Sequence, residues 1–345
     1  MFDIAKPPLW NGDAPLVCVE RRSETSDSVT FVLVPSEPGC FSYRPGQFVL
    51  VGADLAGSPR RAYSLCSTPT RPETIAITVK RVDGGIVSNW LHDHVFVGSR
   101  LKVSPPAGSF FLPDETLPPD LILISAGCGI TPVMGMVRWL IDQGYDGCIH
   151  FIHRARNREN VIFRDELFAL AARHANFRLH AALSQAVGRS ESRNESFVKE
   201  ALEGALSDVV TARAFLCGPV DYMENVKRWL GDIGIKPDHI FSEAFFQPSL
   251  PVASGAAQAF VVDGPAFDKA LPIQSGQSLL DALEQGGVPI TGGCRAGVCG
   301  ACRCRVTAGT VAVTSHETLS SDDITVGYVL ACSTTATSDL RVEFD

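Results

Sequence analysis

Hydrophobic and polar positions alternate in short runs over the first third of the chain. The segments DSVTFVLV, GQFVLVGA, TIAITVKRV and RLKVSPP are rich in apolar and β-branched residues and are separated by Gly, Pro and Ser. Runs of this length and composition predict β-strands. Many short strands at such spacing are typical of a small β-barrel or sandwich, so we predict an antiparallel β-barrel here.

From about residue 118 to residue 240 the pattern changes. Apolar strand-like runs such as LILISA, CIHFIHR, FRLHAALS and ARAFL are separated by helical stretches such as PVMGMVRWLIDQG and VIFRDELFALAARH. In the last helical stretch the apolar residues recur on one face, at Met223, Val226, Trp229 and Leu230. Strands that alternate with helices predict an α/β domain with a doubly wound parallel sheet.

The last third begins after FQPSLPVASGAAQ, residues 246–258, whose Pro, Ser, Gly and Ala predict a linker. A hairpin signal, AFVVDGPAFDKALPI, is followed by the short helix SLLDALEQ, which Gly286 should end. A cysteine-rich loop and a final strand, LRVEFD, complete a third domain. We therefore predict a multidomain chain with an α+β fold over residues 259–345.

Composition and charge narrow the class of protein. The 345 residues are 45% hydrophobic and 20% charged, which is typical of a globular protein, and the net charge of −8 without a basic run argues against nucleic-acid binding. Gly127, Gly129 and Pro132 interrupt the long uncharged stretch LILISAGCGITPVMGMV, so we predict no membrane insertion. The amino-terminal residues lack the apolar core of a secretory signal, and eleven cysteines then indicate reduced thiols or metal ligands in a cytoplasmic protein.

Four cysteines of the third domain have the spacing of a metal centre. Cys294, Cys299 and Cys302 follow the pattern C-x4-C-x2-C, and Cys332 stands alone in VLACST. This is the spacing of plant-type [2Fe–2S] ligands, and the glycines of GGCRAGVCGAC allow backbone N–H groups to turn toward sulfur. Zinc sites usually use two close cysteine pairs, disulfides are disfavoured in the cytoplasm, and inert core cysteines do not explain the glycine loop. We predict a [2Fe–2S] cluster on these four residues, with Cys304 as a strand residue outside the ligand set.

The third domain resembles plant-type ferredoxins, which implies a β-grasp fold, and the first domain resembles the flavin domain of the ferredoxin–NADP reductase superfamily. The resemblance of the first domain rests on two motifs, RRAYSLCSTP and TVKRVDGGIVSNWL. The resemblance implies bound FAD, with Arg61 on the pyrophosphate, Tyr63 against the isoalloxazine ring and Ser64 near flavin N5. It places the flavin contacts at Arg61, Tyr63, Ser64, Val79, Gly84, Gly85, Val87 and Ser88. For His92 and His94, in LHDH, a solvated helix end is a better interpretation than a metal site.

The second domain resembles the pyridine-nucleotide domain of the same superfamily through SAGCGITPVMGM, CGP and FSEAFF. The resemblance implies that Thr131 and Cys217 lie near the nicotinamide and that Glu243 and Phe245 lie against the flavin. It places the nucleotide contacts at Gly127, Gly129, Thr131, Pro132, Cys217, Gly218 and Pro219. Because Gln185 directly follows AALS where a 2′-phosphate would need an arginine, NADH is favoured over NADPH, although Arg189 and Arg193 lie further along.

The order of the three motif sets implies an electron-transfer chain. We predict a flavin domain over 1–113, a nucleotide domain over 114–245 and a ferredoxin domain over 259–345, with Ser64, Cys217 and Glu243 as catalytic residues. The whole arrangement resembles the reductases of hybrid cluster proteins and the reductase components of Rieske-type quaternary-amine demethylases. Such enzymes pass a hydride from NADH to FAD and then single electrons through the cluster to a separate metalloprotein. A redox-sensing module without turnover is the alternative, and the sequence leaves the acceptor open.

Overall fold

A computed structural model describes the chain over residues 8–12, 14–53, 60–113, 115–184, 191–244, 259–288, 290, 292–293, 295, 297, 300–316 and 318–344, with only the backbone at 191–195 and 244. The chain divides into two compact units, Met1–Leu55 with Tyr63–Phe245 and Ala56–Ala62 with Phe246–Asp345. The predicted linker, 246–258, lies outside the described residues. None of the helices in the described part has the length and apolar character needed to cross a membrane.

Short antiparallel strands build the first domain, as the alternating pattern predicted. Its elements are β1 (Leu16–Thr25), β2 (Ser28–Pro35), β3 (Phe48–Gly52), β4 (Arg60–Ser64), β5 (Ile75–Lys80), α1 (Ile86–His94) and β6 (Arg100–Leu101). One sheet has the order β5-β2-β1-β6 and a second joins β3 to β4, with bridges such as Leu65–Ile77 between them. Apolar side chains from both sheets, among them Phe31 and Ile77 of the first and Val49 of the second, fill the core.

A five-stranded parallel sheet forms the second domain and confirms the predicted doubly wound architecture. Its elements are β7 (Asp120–Ala126), α2 (Ile130–Asp142), β8 (Cys148–Ala155), α3 (Arg164–Arg173), β9 (Phe177–Leu183), α4 (Glu191–Leu202), β10 (Arg213–Gly218), α5 (Val220–Ile233) and β11 (Ile240–Ala244). The strand order is β11-β10-β7-β8-β9, and all neighbouring pairs are parallel. The predicted apolar face of α5, which includes Met223 and Trp229, is buried against this sheet.

The third domain is an α+β fold around a mixed sheet. Its elements are β12 (Ala259–Asp263), β13 (Leu271–Gln274), α6 (Leu279–Gln285), β14 (Arg303–Ala308), β15 (Val311–Val313), α7 (Ser321–Thr325), β16 (Tyr328–Leu330), β17 (Thr334–Ala336) and β18 (Leu340–Glu343). The main sheet has the order β13-β12-β18-β14-β16, with β12 and β18 parallel and the predicted β12–β13 hairpin antiparallel. Ser278 caps α6 and Gly286 follows its last residue, as expected, while Cys304 lies buried on β14.

Two local predictions were wrong. The helix predicted over VIFRDELFALAARH begins only at Arg164, because Phe163 adopts a left-handed φ of 58° that a helix cannot continue through. His92 is not solvated: it is buried, and its Nε2 lies 2.9 Å from the backbone oxygen of Val79, to which it donates a hydrogen bond. Burial lowers the pKa of His92, so it is a neutral structural side chain of α1.

A fully buried histidine makes the second domain sensitive to acid. His153 on β8 is 1% exposed, its Nδ1 lies 2.9 Å from Ser125 Oγ, and burial lowers its pKa to about 4. The unfolded chain binds a proton near pH 6.5 whereas the folded chain does not, so stability is lost as pH falls from 6.5 toward 4. We expect His153 to account for about 2 kcal/mol of lost stability at pH 5 relative to pH 7.

Comparison of His153→Phe with the parent protein tests this expectation. Melting temperatures measured by circular dichroism between pH 5 and pH 8 should fall less steeply with acid in the variant. Parallel profiles for the two proteins would show that His153 does not titrate on unfolding.

Candidate active site

The carboxyl ends of three parallel strands bring Ser125, Cys217 and Glu243 side by side. β10 lies between β7 and β11, and Cys217 pairs in register with Ser125 on one side and with Glu243 on the other. All three residues are buried. In doubly wound folds, ligands bind at the carboxyl ends of the strands. This edge is therefore the candidate nicotinamide site.

The end of the barrel strand β4 reaches the same edge. Ser64, the last residue of β4, donates its hydroxyl hydrogen to Glu243 Oε2 over 3.5 Å, which is the long end of the range for such a bond. Ser64 is 3% exposed and Glu243 is 7% exposed, so water is largely excluded from the pair. The three residues that the sequence predicted as catalytic, Ser64, Cys217 and Glu243, thus lie together.

Burial determines the protonation of Cys217. Its thiol is 1% exposed, and desolvation raises its pKa well above the usual range, with further contributions from the neighbouring Glu243 and Cys128. Only a thiolate is a strong nucleophile. The side chain is therefore a neutral packing group, suited to position a ring rather than to form a covalent bond.

A glycine turn connects β7 to α2 directly beside Cys217. Gly127 has a φ of 55°, and a Cβ at Gly129 would stand 2.2 Å from the Cys217 backbone oxygen. The two loops therefore touch backbone to backbone. Thr131 is buried in the first turn of α2, where its hydroxyl donates to the Cys128 oxygen at 3.1 Å.

The first turn of α2 can hold an anion. Pro132 lies buried in this turn, where its lack of an N–H group leaves the helix intact. The start of a helix attracts phosphate, although the N–H of Ile130, the first residue of α2, already donates to the Gly127 oxygen. On the other side of the contact, Gly218 brings β10 close to Ala126, because a Cβ there would lie 3.1 Å from the Ala126 Cβ, and Pro219 precedes α5. The predicted nucleotide residues thus surround one glycine-lined turn, which is the candidate pyrophosphate cradle.

The start of α1 forms a second possible phosphate site. Gly84 has a φ of 66°, and Gly85 is the residue that precedes the helix. A Cβ at Gly85 would lie 2.6 Å from Ser88 Oγ, which accepts a hydrogen bond from the Val82 N–H. Small residues therefore leave the first N–H groups of α1 accessible, which fits the predicted contact with a flavin pyrophosphate.

The other predicted flavin residues divide between the barrel core and strand β4, where Arg61 and Tyr63 are both half-buried. Val79 and Val87 are buried within the core. Tyr63 is half-buried and packs against the same core, and Arg61 lies two residues before it, so the two side chains project from one face of the strand. Phe245 lies outside the described residues, as does Gln185, on which the prediction of NADH rests.

Two of the four predicted cluster ligands lie within the described part of the third domain. Cys302 and Cys332 are both buried, and their sulfurs accept hydrogen bonds from backbone N–H groups: Gly297 N to Cys332 Sγ at 3.2 Å and Cys332 N to Cys302 Sγ at 3.4 Å. Gly297 and Gly300 both have a φ of 71°, which turns the loop inward. Sulfurs surrounded by N–H donors fit an iron–sulfur cluster. Cys294 and Cys299 lie outside the described residues.

An arginine holds the cluster loop against α6. Arg295, with a left-handed φ of 57°, donates from Nη1 to Asp281 Oδ1 at 2.6 Å and from Nη2 to Glu284 Oε2. Neighbouring carboxylates raise the pKa of Arg295 although burial opposes them. Sequence analysis missed this pair of acids, although their spacing of three residues on one face of SLLDALEQ is a visible signal.

Three protein-family models match consecutive parts of the chain. They are an oxidoreductase FAD-binding domain over residues 15–112, an oxidoreductase NAD-binding domain over 123–228 and a 2Fe-2S iron-sulfur cluster binding domain over 262–337. The matches follow the order flavin, nucleotide and cluster. They account for the barrel, the parallel sheet and the cysteine-bearing domain respectively.

Curated relatives match over almost the whole chain. The glycine betaine monooxygenase reductase subunit of Pseudomonas aeruginosa is 33% identical, with 97% of this chain and 96% of the relative covered. NADH oxidoreductase HCR of Escherichia coli is 35% identical, with 92% and 93% covered. The stachydrine N-demethylase reductase subunit of Rhizobium meliloti is 30% identical, with 97% and 98% covered.

Among solved structures, phthalate dioxygenase reductase has a similar fold. The two chains align with a TM-score of 0.68 at 22% identity, with 96% of this chain and 97% of the other covered. The same three domain architectures therefore occur together in the single chain of another protein, and the two chains align over almost their whole lengths.

Proposed function

This chain belongs to the family of NADH-dependent flavin and iron–sulfur reductases, and from that membership we propose that it supplies electrons to the oxygenase component of a quaternary-amine demethylase. In this family FAD, when bound, converts the electron pair of NADH into single electrons for a [2Fe–2S] cluster. The observation that supports transfer of electrons from NADH to the flavin is the contact between Ser64 and Glu243, which brings the flavin strand to the nucleotide edge of the sheet.

The roles proposed for this chain's residues follow from their contacts. The start of α1 and the glycine turn before α2 bind phosphate groups through backbone N–H donors, and Gly129 allows the nucleotide loop to approach Cys217. The neutral thiol of Cys217 packs beside the nicotinamide, and Glu243 accepts the hydroxyl hydrogen of Ser64, which leaves the Ser64 oxygen to accept a hydrogen bond at the flavin edge. Arg61, Tyr63 and Phe245 complete the flavin contacts that the family resemblance implies.

The names of the relatives support the proposed acceptor, the oxygenase component of a quaternary-amine demethylase. Glycine betaine and stachydrine, in the names of two relatives, are both quaternary amines, and each of those proteins is a reductase subunit. The resemblance of the sequence to reductases of hybrid cluster proteins favours a second candidate acceptor, a hybrid cluster protein. A reductase that serves a separate oxygenase in this way is consistent with a cytoplasmic location, which we propose as well.

Reconstitution with each acceptor tests the proposal. We expect the purified protein, NADH, oxygen and a quaternary-amine Rieske oxygenase to release one formaldehyde per NADH from glycine betaine. A hybrid cluster protein is the comparison acceptor, and its reduction by NADH is followed anaerobically. Faster reduction of the hybrid cluster protein than of the oxygenase would overturn the choice of acceptor, and a flavin that NADH does not reduce would favour a redox-sensing module.

A further inference from the structure

Helix α2 lies against the barrel loop that follows the flavin strand β4. Three residues spaced along one face of the helix make the contact: Gly135, Arg138 and Asp142. A Cβ at Gly135 would stand 2.6 Å from the Leu65 oxygen, so the helix touches the loop backbone. At the far end, Asp142 accepts hydrogen bonds from Thr70 Oγ1 at 2.5 Å and from Arg71 Nη2 at 3.2 Å.

Arg138, at the centre of this face, joins three elements. Its Nη1 donates to the backbone oxygen of Cys66, while Nε and Nη2 donate to the two carboxylate oxygens of Glu166 on α3 at 2.8 and 2.6 Å. The guanidinium also stands 4.8 Å from the centre of the Phe163 ring. The side chain is only 16% exposed. A planar, always charged guanidinium is suited to such a fixed fork, and the shorter ammonium of lysine cannot make all of these bonds.

A strained residue shows that this junction is tightly determined. Phe163, whose ring packs under the guanidinium, has a φ of 58°. A left-handed conformation in a large side chain persists only where its surroundings fix it. Arg138 is therefore held in one position by the Glu166 carboxylate, the Phe163 ring and the Cys66 carbonyl.

Arg138 links helix α2 to the loop at Cys66, and these two segments lead to the two halves of the candidate active site. Cys66 is two residues beyond Ser64, and α2 begins at the glycine turn beside Cys217. We propose that Arg138 is a positioning residue that fixes the barrel strand carrying Ser64 relative to the nucleotide turn, and so the approach of nicotinamide to flavin. This inference rests on the flavin and nucleotide sites proposed above and is independent of the electron acceptor.

Rapid-mixing reduction of the FAD-loaded protein by NADH, without any acceptor, tests the proposal. We expect Arg138→Met to lower the limiting rate about tenfold, because small misplacements of reacting groups have large effects on rate. The dissociation constant of NAD⁺, the FAD content and the flavin potential should stay close to the parent values. Amide hydrogen exchange should rise in residues 65–71 of both the FAD-loaded and the FAD-free protein.

Two further variants and one control complete the experiment. Arg138→Lys keeps the charge and one bond, so it should recover part of the rate, and Glu166→Gln should lower the rate in the same direction. If Arg138→Met does not fold, these two variants decide the outcome. Arg213→Met is the control, because Arg213 is 22% exposed and pairs with Glu115 far along β10 from the site.

Parent-like limiting rates in the Arg138 and Glu166 variants would overturn the proposal. A rate that falls only together with FAD content and NAD⁺ affinity would also overturn it, since that pattern indicates general destabilisation. A parent protein that binds FAD but is not reduced by NADH would instead contradict the proposed function itself.

Discussion

Replacement of Cys302 by alanine is expected to abolish electron delivery beyond the flavin while NADH still reduces the flavin at the parent rate. Cys302 is a predicted cluster ligand, is 1% exposed, and its sulfur accepts the Cys332 N–H at 3.4 Å. Loss of one thiolate ligand removes the [2Fe–2S] cluster, so cytochrome c reduction should fall by about 100-fold. Ferricyanide, which takes electrons from the flavin, should be reduced as before, and iron and sulfide should be absent from the purified variant.

The neighbouring thiol provides a matched control. Cys304 lies two residues further along the chain, on β14. It is as buried as Cys302 and falls outside the predicted ligand set. We expect Cys304→Ala to keep its cluster and its cytochrome c activity and to lose only about 1 kcal/mol of stability from the small cavity. Equal loss of flavin reduction and cytochrome c reduction in Cys302→Ala would contradict domains that act in series.

Gly129→Ala is expected to have the largest effect on nucleotide binding. The new Cβ would lie 2.2 Å from the Cys217 oxygen and 2.8 Å from the Gly218 nitrogen, which are backbone atoms of a buried strand end. The steric clash can be relieved only if the turn and β10 move apart. Overpacking of this kind lowers the free energy of unfolding by about 1–3 kcal/mol. Because the same turn is the proposed pyrophosphate cradle, the dissociation constant of NAD⁺ should rise about tenfold or more.

A helical glycine without such a neighbour is the control for this substitution. Gly231 lies in α5, and no described atom would come within 4 Å of a Cβ there. Gly231→Ala should leave NAD⁺ binding unchanged and stabilise the protein by up to about 1 kcal/mol, because alanine favours helix. Isothermal titration with NAD⁺ and thermal melting measure both effects, and parent-like NAD⁺ affinity in Gly129→Ala would refute the steric argument.

Local sequence signals were enough to predict the domain architectures and the [2Fe–2S] cluster, whereas FAD and the nucleotide followed from the family resemblance of short motifs. The spacing of Cys294, Cys299 and Cys302 and the glycines before α2 lie within a few residues of one another, so a short window contains the chemistry. The three domain architectures likewise followed from periodicity, because strand and helix periods are properties of local segments.

Contacts between distant segments could not be predicted in this way. Arg138 binds a backbone oxygen 72 residues away and a carboxylate 28 residues away, and inside an apolar helix it carries no motif. The burial of His92 depends on the Val79 carbonyl of a neighbouring strand. The left-handed φ of Phe163 depends on the packing around it rather than on its own preference. The roles of individual site residues therefore stay predictions for the experiments above.

The protonated state of Cys217 also affects how resistant the enzyme is to oxidation during turnover. Reduced flavins react slowly with oxygen and release peroxide, so a thiol at the proposed site of hydride transfer is exposed to an oxidant throughout its working life. Peroxide attacks thiolates and converts them stepwise into sulfenic, sulfinic and sulfonic acids, the last two of which are generally irreversible. Because burial raises the pKa of Cys217, almost no thiolate is present at neutral pH. The strand end that packs so closely on the glycine turn is thereby protected against oxidative inactivation.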